Sequence, residues 1–265
     1  MSITISPSRV ARFLVCVVLT IVVVGVAAEW VEQATQHWSH KGVSVLAGKF
    51  VLDGELSIPA WYSSLSLFAC SSLLGLIAWS KHRARSAFAR HWFGLSAIFL
   101  VLSIDEMTGV HEMCIEPLRR HFGASGIFHY AWVIPASVFV AGFAVAYMRF
   151  VFVHLDVQTR WRFLTAGVMF VGAALGLEFA EGPIDQAFGL HSLPAEAAVT
   201  IEEAFEMFGI VVFLFSLLCY IRQQVGALRI SIEPLAAAAI AIDADLVVPN
   251  SRADATGAVV REILA

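Results

Sequence analysis

Polar and apolar residues are segregated along this chain in long blocks. Six apolar runs, at about 13–28, 60–79, 92–114, 128–148, 163–180 and 198–221, stand between polar stretches. A helix needs about 20 mostly apolar residues to cross the hydrocarbon of a membrane, and these runs approach or meet that length. The pattern predicts an all-α polytopic membrane protein, a six-transmembrane-helix bundle over residues 1–222. The first run follows Arg9 and Arg12 and closes on Val26, Ala27 and Ala28, which also suits a signal peptide. Its 16-residue apolar core is long for that, so it is read as a span.

Two polar segments flank this pattern. The outer loop, 29–59, opens with EWVEQATQHWSH, which predicts an interfacial continuation of the first span carrying Trp30 and Trp38. Later in the loop, Asp53-Gly54 lies between short apolar stretches and signals a hairpin or tight turn. The segment 223–265 is small-residue-rich, interrupted by Pro249 and without a persistent period. It is expected to be a weakly ordered cytoplasmic tail.

Basic residues orient the spans, because cytoplasmic loops carry excess Lys and Arg. Arg9, Arg12, Lys81, Arg83, Arg85, Arg90, Arg149, Arg160, Arg162, Arg222 and Arg229 fall on one side; Lys41, Lys49, Arg119 and Arg120 fall on the other. Both termini are therefore expected in the cytoplasm of a multi-pass cell-membrane protein.

Composition agrees: 59% of residues are hydrophobic and 14% charged, against about 25% charged in soluble domains. The net charge of −4 suggests no nucleic-acid partner, and membrane lipid is the expected one. Cys16, Cys70, Cys114 and Cys219 are widely spaced with no CxxC, so neither a disulfide framework nor a zinc finger is indicated.

The acids change the picture. Charged groups within spans are costly and usually functional. Counted from the cytoplasmic end at the helical rise, Asp105 and Glu106 lie about 20 Å across, Glu206 about 22 Å and Glu178 about 23 Å. Glu181 lies at about 27 Å, Glu202 and Glu203 at about 28 Å, and His111 and Glu112 at about 29 Å. Spans three, five and six thus place acids in two shared layers near the outer face. Asp105 and Glu112 share a stripe, as do Glu178 and Glu181, and Glu202 and Glu206, while Glu106 and His111 lie to either side of theirs. A common acidic pocket is expected.

Milder explanations cover Glu116, Asp185 and Glu196, which sit near span ends. They serve the deeper acids poorly. Spans three and five end outside with helix C-termini, whose dipole disfavours acids, and the four outer cations are too few. Protonation or a bound metal remains. Carboxylates with an imidazole suit iron, manganese or zinc. Asp105, His111, Glu112, Glu178, Glu181, Glu202 and Glu206 are the expected ligands of one or two divalent transition-metal ions. Glu106 and Glu203 are left to move protons.

Three functions compete. The first is a membrane metalloenzyme acting on a lipid-like substrate through metal-activated water or oxygen, with His129, Tyr130 and Trp132 lining its entrance. The second is a cation or proton transporter, disfavoured by a sparse inner half and by the lack of paired broken spans. The third is a metal-binding sensor or small subunit of a membrane complex. HExxH, GxSxG and a Glu-x-x-His among the clustered acids are all absent. His91 and His129 are read as hydrogen-bonded core residues, and Ser103 as a satisfied helix serine.

Overall fold

The computed structural model describes residues 2–4, 6–35, 41–54, 56–190, 192–225 and 229–231. Two compact units divide them. In the smaller, β1 (Ser2–Thr4) pairs antiparallel with β2 (Arg229–Ser231), Ile3 opposite Ile230. Trp38 and the 223–265 tail, apart from residues 223–225 and 229–231, lie outside the described residues.

The larger unit is helical. Its elements are α1 (Pro7–Thr35), α2 (Lys41–Ala47), α3 (Ile58–Arg83), α4 (Ala89–Thr108), α5 (Val110–Phe122), α6 (Val133–Arg149), α7 (Val157–Gly176), α8 (Glu178–Phe188) and α9 (Leu193–Val225). Among the described residues, five helical stretches are long and apolar enough to cross a membrane, and a bent pair, α4 with α5, would make a sixth. A chain of this kind is compatible with a multi-pass membrane protein.

The third apolar run is not the straight span that its composition suggests. α4 stops at Thr108, and α5 leaves at 81°. The cause is Gly109, whose φ of 58° and ψ of 32° place it in the left-handed region, where a residue without a Cβ is at ease. Its N–H still donates to the Asp105 carbonyl at 2.7 Å, closing α4 as a left-handed glycine does. The depths assigned to His111 and Glu112 therefore fail, since those residues turn away from the α4 axis.

The fourth span also starts later than its hydropathy indicates. A 3-10 turn at Gly126–Phe128 precedes α6. α9 begins after Ser192, whose Oγ accepts the Ala195 N–H at 3.4 Å. Glu202 and Glu203 thus lie well inside that helix.

α1 and α9 run antiparallel. At one end Gln33 Nε2 donates to Glu196 Oε1 at 3.3 Å. At the other, Ser8 and Arg222 share a cavity. α3 and α4 are stitched by reciprocal bonds: Ser64 Oγ donates to the Ser103 carbonyl at 2.7 Å, and Ser103 Oγ to that of Ser64 at 2.8 Å. Ser71 and Ser96 repeat the exchange further along. Such bonds hold helices together where lipid gives no hydrophobic drive.

The core at the basic end is aromatic. Trp92 and Phe150 are fully buried, 5.1 Å apart and edge to face, and Tyr220 lies 4.9 Å from Trp92. His91 belongs to this cluster, stacked on Phe150 at 5.5 Å. Its Nδ1 is buried without a hydrogen-bond partner, so stacking holds this ring where a hydrogen bond was expected.

Candidate functional site

A cavity of about 240 Å³ lies among the C-terminal end of α4, the start of α5, the α7–α8 junction and the first half of α9. The eight acids and one histidine expected to form a common pocket all line it: Asp105, Glu106, His111, Glu112, Glu178, Glu181, Glu202, Glu203 and Glu206. Periodicity explains the convergence. Each group occupies one face of its helix, and α9, which carries Glu202, Glu203 and Glu206, packs against both α7 and α8, the latter carrying Glu178 and Glu181.

The break at Gly109 builds part of the site. Asp105, on the last turn of α4, accepts the His111 N–H through Oδ1 at 3.0 Å. Its Oδ2 lies 2.7 Å from Nδ1 of the same histidine. One carboxylate thus caps the next helix and fixes its histidine ring. The break also moves Glu112 into the first turn of α5, where the positive end of the dipole favours an acid by about 0.3–1 kcal/mol. The dipole objection raised for this span therefore does not hold for Glu112.

A second carboxylate is held from the residue that precedes α6. Trp132 Nε1 donates to Glu178 Oε1 at 2.9 Å, and the Trp132 and His111 rings are 4.9 Å apart. Neighbouring Tyr130 donates from its hydroxyl to Asp185 Oδ2 at 2.6 Å. Tyr130 and Trp132 both line the cavity. His129 turns instead to Arg119, its Nε2 3.1 Å from Nη1. Gly182 permits this arrangement, because a Cβ there would meet the Gly126 carbonyl oxygen at 2.5 Å and His129 Cβ at 2.6 Å.

Several acids remain incompletely served. Glu178 Oε2 and Glu181 Oε1 are buried with no hydrogen-bond partner, and Glu181 is only 7% exposed. Among the described residues no Lys or Arg lines the cavity. Arg119 and Arg120 both pair with Glu116, which accounts for that acid outside the pocket.

The sequence reading missed Asp53. It sits on the turn after α2, lines the same cavity, and makes a tight turn where a hairpin was the alternative. Leu52 anchors it, 2% exposed and packed with Val18, Met207 and Val211. Burying such a leucine is worth about 1.5–3 kcal/mol. Asp53 as a residue keeps exposed surface, but protein crowded around its carboxyl, with the charges of Glu112 and Glu181, pushes that group up to about 7, with His111 pulling it down. The only hint in the sequence was an acid within an apolar stretch, VLDGEL.

The donor set suits a cation, but among the described residues no three His, Cys, Asp or Glu side chains stand as a preformed metal-holding group. Beneath the cavity, toward the basic ends of α4, α7 and α9, Phe213 stacks on Phe99 at 4.4 Å and lies 4.7 Å from Phe163.

The chain matches a family described as a domain of unknown function, DUF8692, over residues 14–221. No curated protein and no solved structure matches it.

Proposed function

The chain belongs to the DUF8692 family, and from that premise we propose a multi-pass membrane protein that binds a divalent metal ion in this acidic cavity. Both termini face the cytoplasm, and the cavity opens toward the outer side. One observation carries the reading. His111 and Glu178 are each oriented by a neighbour, and Glu178 and Glu181 each bury an oxygen without a hydrogen-bond partner. Asp105 engages Nδ1 of His111 and leaves Nε2 as the nitrogen for a ligand. Trp132 engages one oxygen of Glu178, and the other is buried without a partner. Carboxylate–histidine pairs of this kind orient metal ligands.

In this reading Asp105 is a positioning residue and not the ligand that the spacing suggests. Glu112, Glu202 and Glu206 complete the ligand set with His111, Glu178 and Glu181. Clustered acids repel one another when no cation is present, so a bound ion would draw them together. The ion is iron, manganese or zinc, by the mixture of imidazole and carboxylate. It supplies Lewis acidity toward water or oxygen. Glu106 and Glu203 hold or pass protons beside it. The substrate is lipid-like, because the helices around the cavity are apolar enough to lie in lipid.

Elemental analysis of purified protein tests this. Stoichiometric iron, manganese or zinc is expected in the wild type and is lost in both Glu178→Ala and Glu206→Ala. Wild-type protein that stays metal-free after growth and purification with all three metals supplied removes the reading.

A cation or proton transporter is the second reading. The 81° break between α4 and α5 favours it, since interrupted helices build ion sites in transporters. Against it, the Phe99, Phe163 and Phe213 rings lie beneath the cavity, and Ser71, Ser72, Ser96 and Thr20 donate to backbone carbonyls. Metal or proton flux in proteoliposomes, abolished by Glu206→Gln, would establish it.

A further inference from the structure

The opposite end of the bundle carries a cavity that the acidic site does not use. It measures about 410 Å³ and is lined by Pro7, Ser8, Arg162, Phe215, Arg222 and Gln223, with Cys219 at its wall. Three helix ends meet there: the start of α1, the first turns of α7 and the last turns of α9. Along α9 it lies about 30 Å from the Glu202 layer.

Its chemistry is that of an anion site. Arg162 is fixed by its guanidinium lying 5.3 Å over the Phe215 ring, and its Nη1 is buried with no hydrogen-bond partner. Arg222 is exposed beside it. Among the described residues no Asp or Glu lines the cavity, so both positive charges face it without a counter-charge from those walls. The start of α1 adds the positive end of a 29-residue helix. A planar guanidinium held in place matches the oxygens of a phosphate group.

The surroundings indicate which phosphate. Phe13 on α1 is 66% exposed, and Trp161, next to Arg162, is 64% exposed. An exposed Trp is characteristic of the boundary between lipid and headgroups, and Phe13 adds apolar surface. A ligand in the cavity therefore has its charged part between two arginines and apolar surface directly alongside.

We propose that this cavity binds the phosphate of an anionic phospholipid, with the acyl chains lying along the exposed faces of α1 and α7. Basic pockets between membrane helices bind such headgroups. The site is independent of the metal reading, because it shares no residue with the acidic cavity.

Native mass spectrometry of the full chain in detergent tests it, with phosphatidylglycerol, phosphatidylcholine and inorganic phosphate as probes. The wild type is expected to bind phosphatidylglycerol about tenfold tighter than phosphatidylcholine. Arg162→Gln/Arg222→Gln should lose that preference. Arg83→Gln/Arg90→Gln, which removes two exposed arginines elsewhere, should keep it. Should the double variant fail to fold, Arg222→Gln alone, an exposed position, is expected to weaken the preference severalfold. No preference in the wild type, or an undiminished one without these arginines, overturns the proposal. Inorganic phosphate binding as tightly as the lipid overturns the lipid assignment in favour of a free anion.

Discussion

Asp105 holds His111 through both of its oxygens, one on the backbone N–H at 3.0 Å and one at ring Nδ1 at 2.7 Å, across an 81° turn of the chain. A single side chain thus sets both the course of α5 and the aim of the imidazole. Asp105→Asn keeps an acceptor for one bond but not both. It is expected to lower metal affinity by about 10–100-fold, with the protein still folded. Titration calorimetry measures the affinity. An unchanged dissociation constant would remove the positioning role.

Glu181 is buried with an unpartnered oxygen. Glu181→Gln keeps the shape and removes the charge. It is expected to reduce bound metal and to raise the melting temperature of the metal-free protein, since one repelling acid is gone. Circular dichroism melting in detergent with chelator gives the second reading, and a lowered melting temperature there would contradict it.

Asp53 supplies a pH signature. Its carboxyl is pushed up to about 7, whereas an unfolded chain loses that proton near the ordinary value of about 3.9. The folded state therefore binds the extra proton between these limits, and stability must fall as pH rises through that window. Asp53→Asn removes this part of the slope. Between pH 4 and 7 the metal-free wild type should lose more melting temperature than the variant. Parallel curves would show that Asp53 is not the group responsible.

Gly182 is where the turn before α6 presses on α8. Gly182→Ala must push the Gly126 carbonyl and His129 away, at a cost of about 1–3 kcal/mol for an overpacked contact. Because Tyr130 and Trp132 follow that turn, metal content should fall together with melting temperature. A variant as stable as the wild type would mean that the turn yields freely.

The paired serines offer a test of the α3–α4 seam. Ser64→Ala and Ser103→Ala should each destabilise by about 0.6 kcal/mol, typical of a bond between membrane helices. A double-mutant cycle should show coupling of similar size, as the two residues exchange hydrogen bonds. Strict additivity would argue that the bonds contribute nothing jointly.

Much of the site was legible in the chain itself. Hydropathy marked the apolar runs, and the rise of a helix placed Asp105, Glu106, Glu178 and Glu206 at one level. Those residues line one cavity because depth and facing along a regular helix are local properties. The same count failed for His111 and Glu112. A single left-handed glycine redirects everything after it, and Gly109 in sequence is no different from a glycine that a straight helix tolerates.

The sequence by itself determined that the chain is helical, that several helices are apolar enough for lipid, and that its acids gather near one end. Local periodicity and composition suffice for each. Only the tertiary structure decided that Asp105 serves His111, that Trp132 holds Glu178, and that Leu52 anchors Asp53 over the cavity. These are contacts between segments far apart in the chain or across a break in it. Their geometry depends on how helices pack, and no periodic pattern within one segment encodes that.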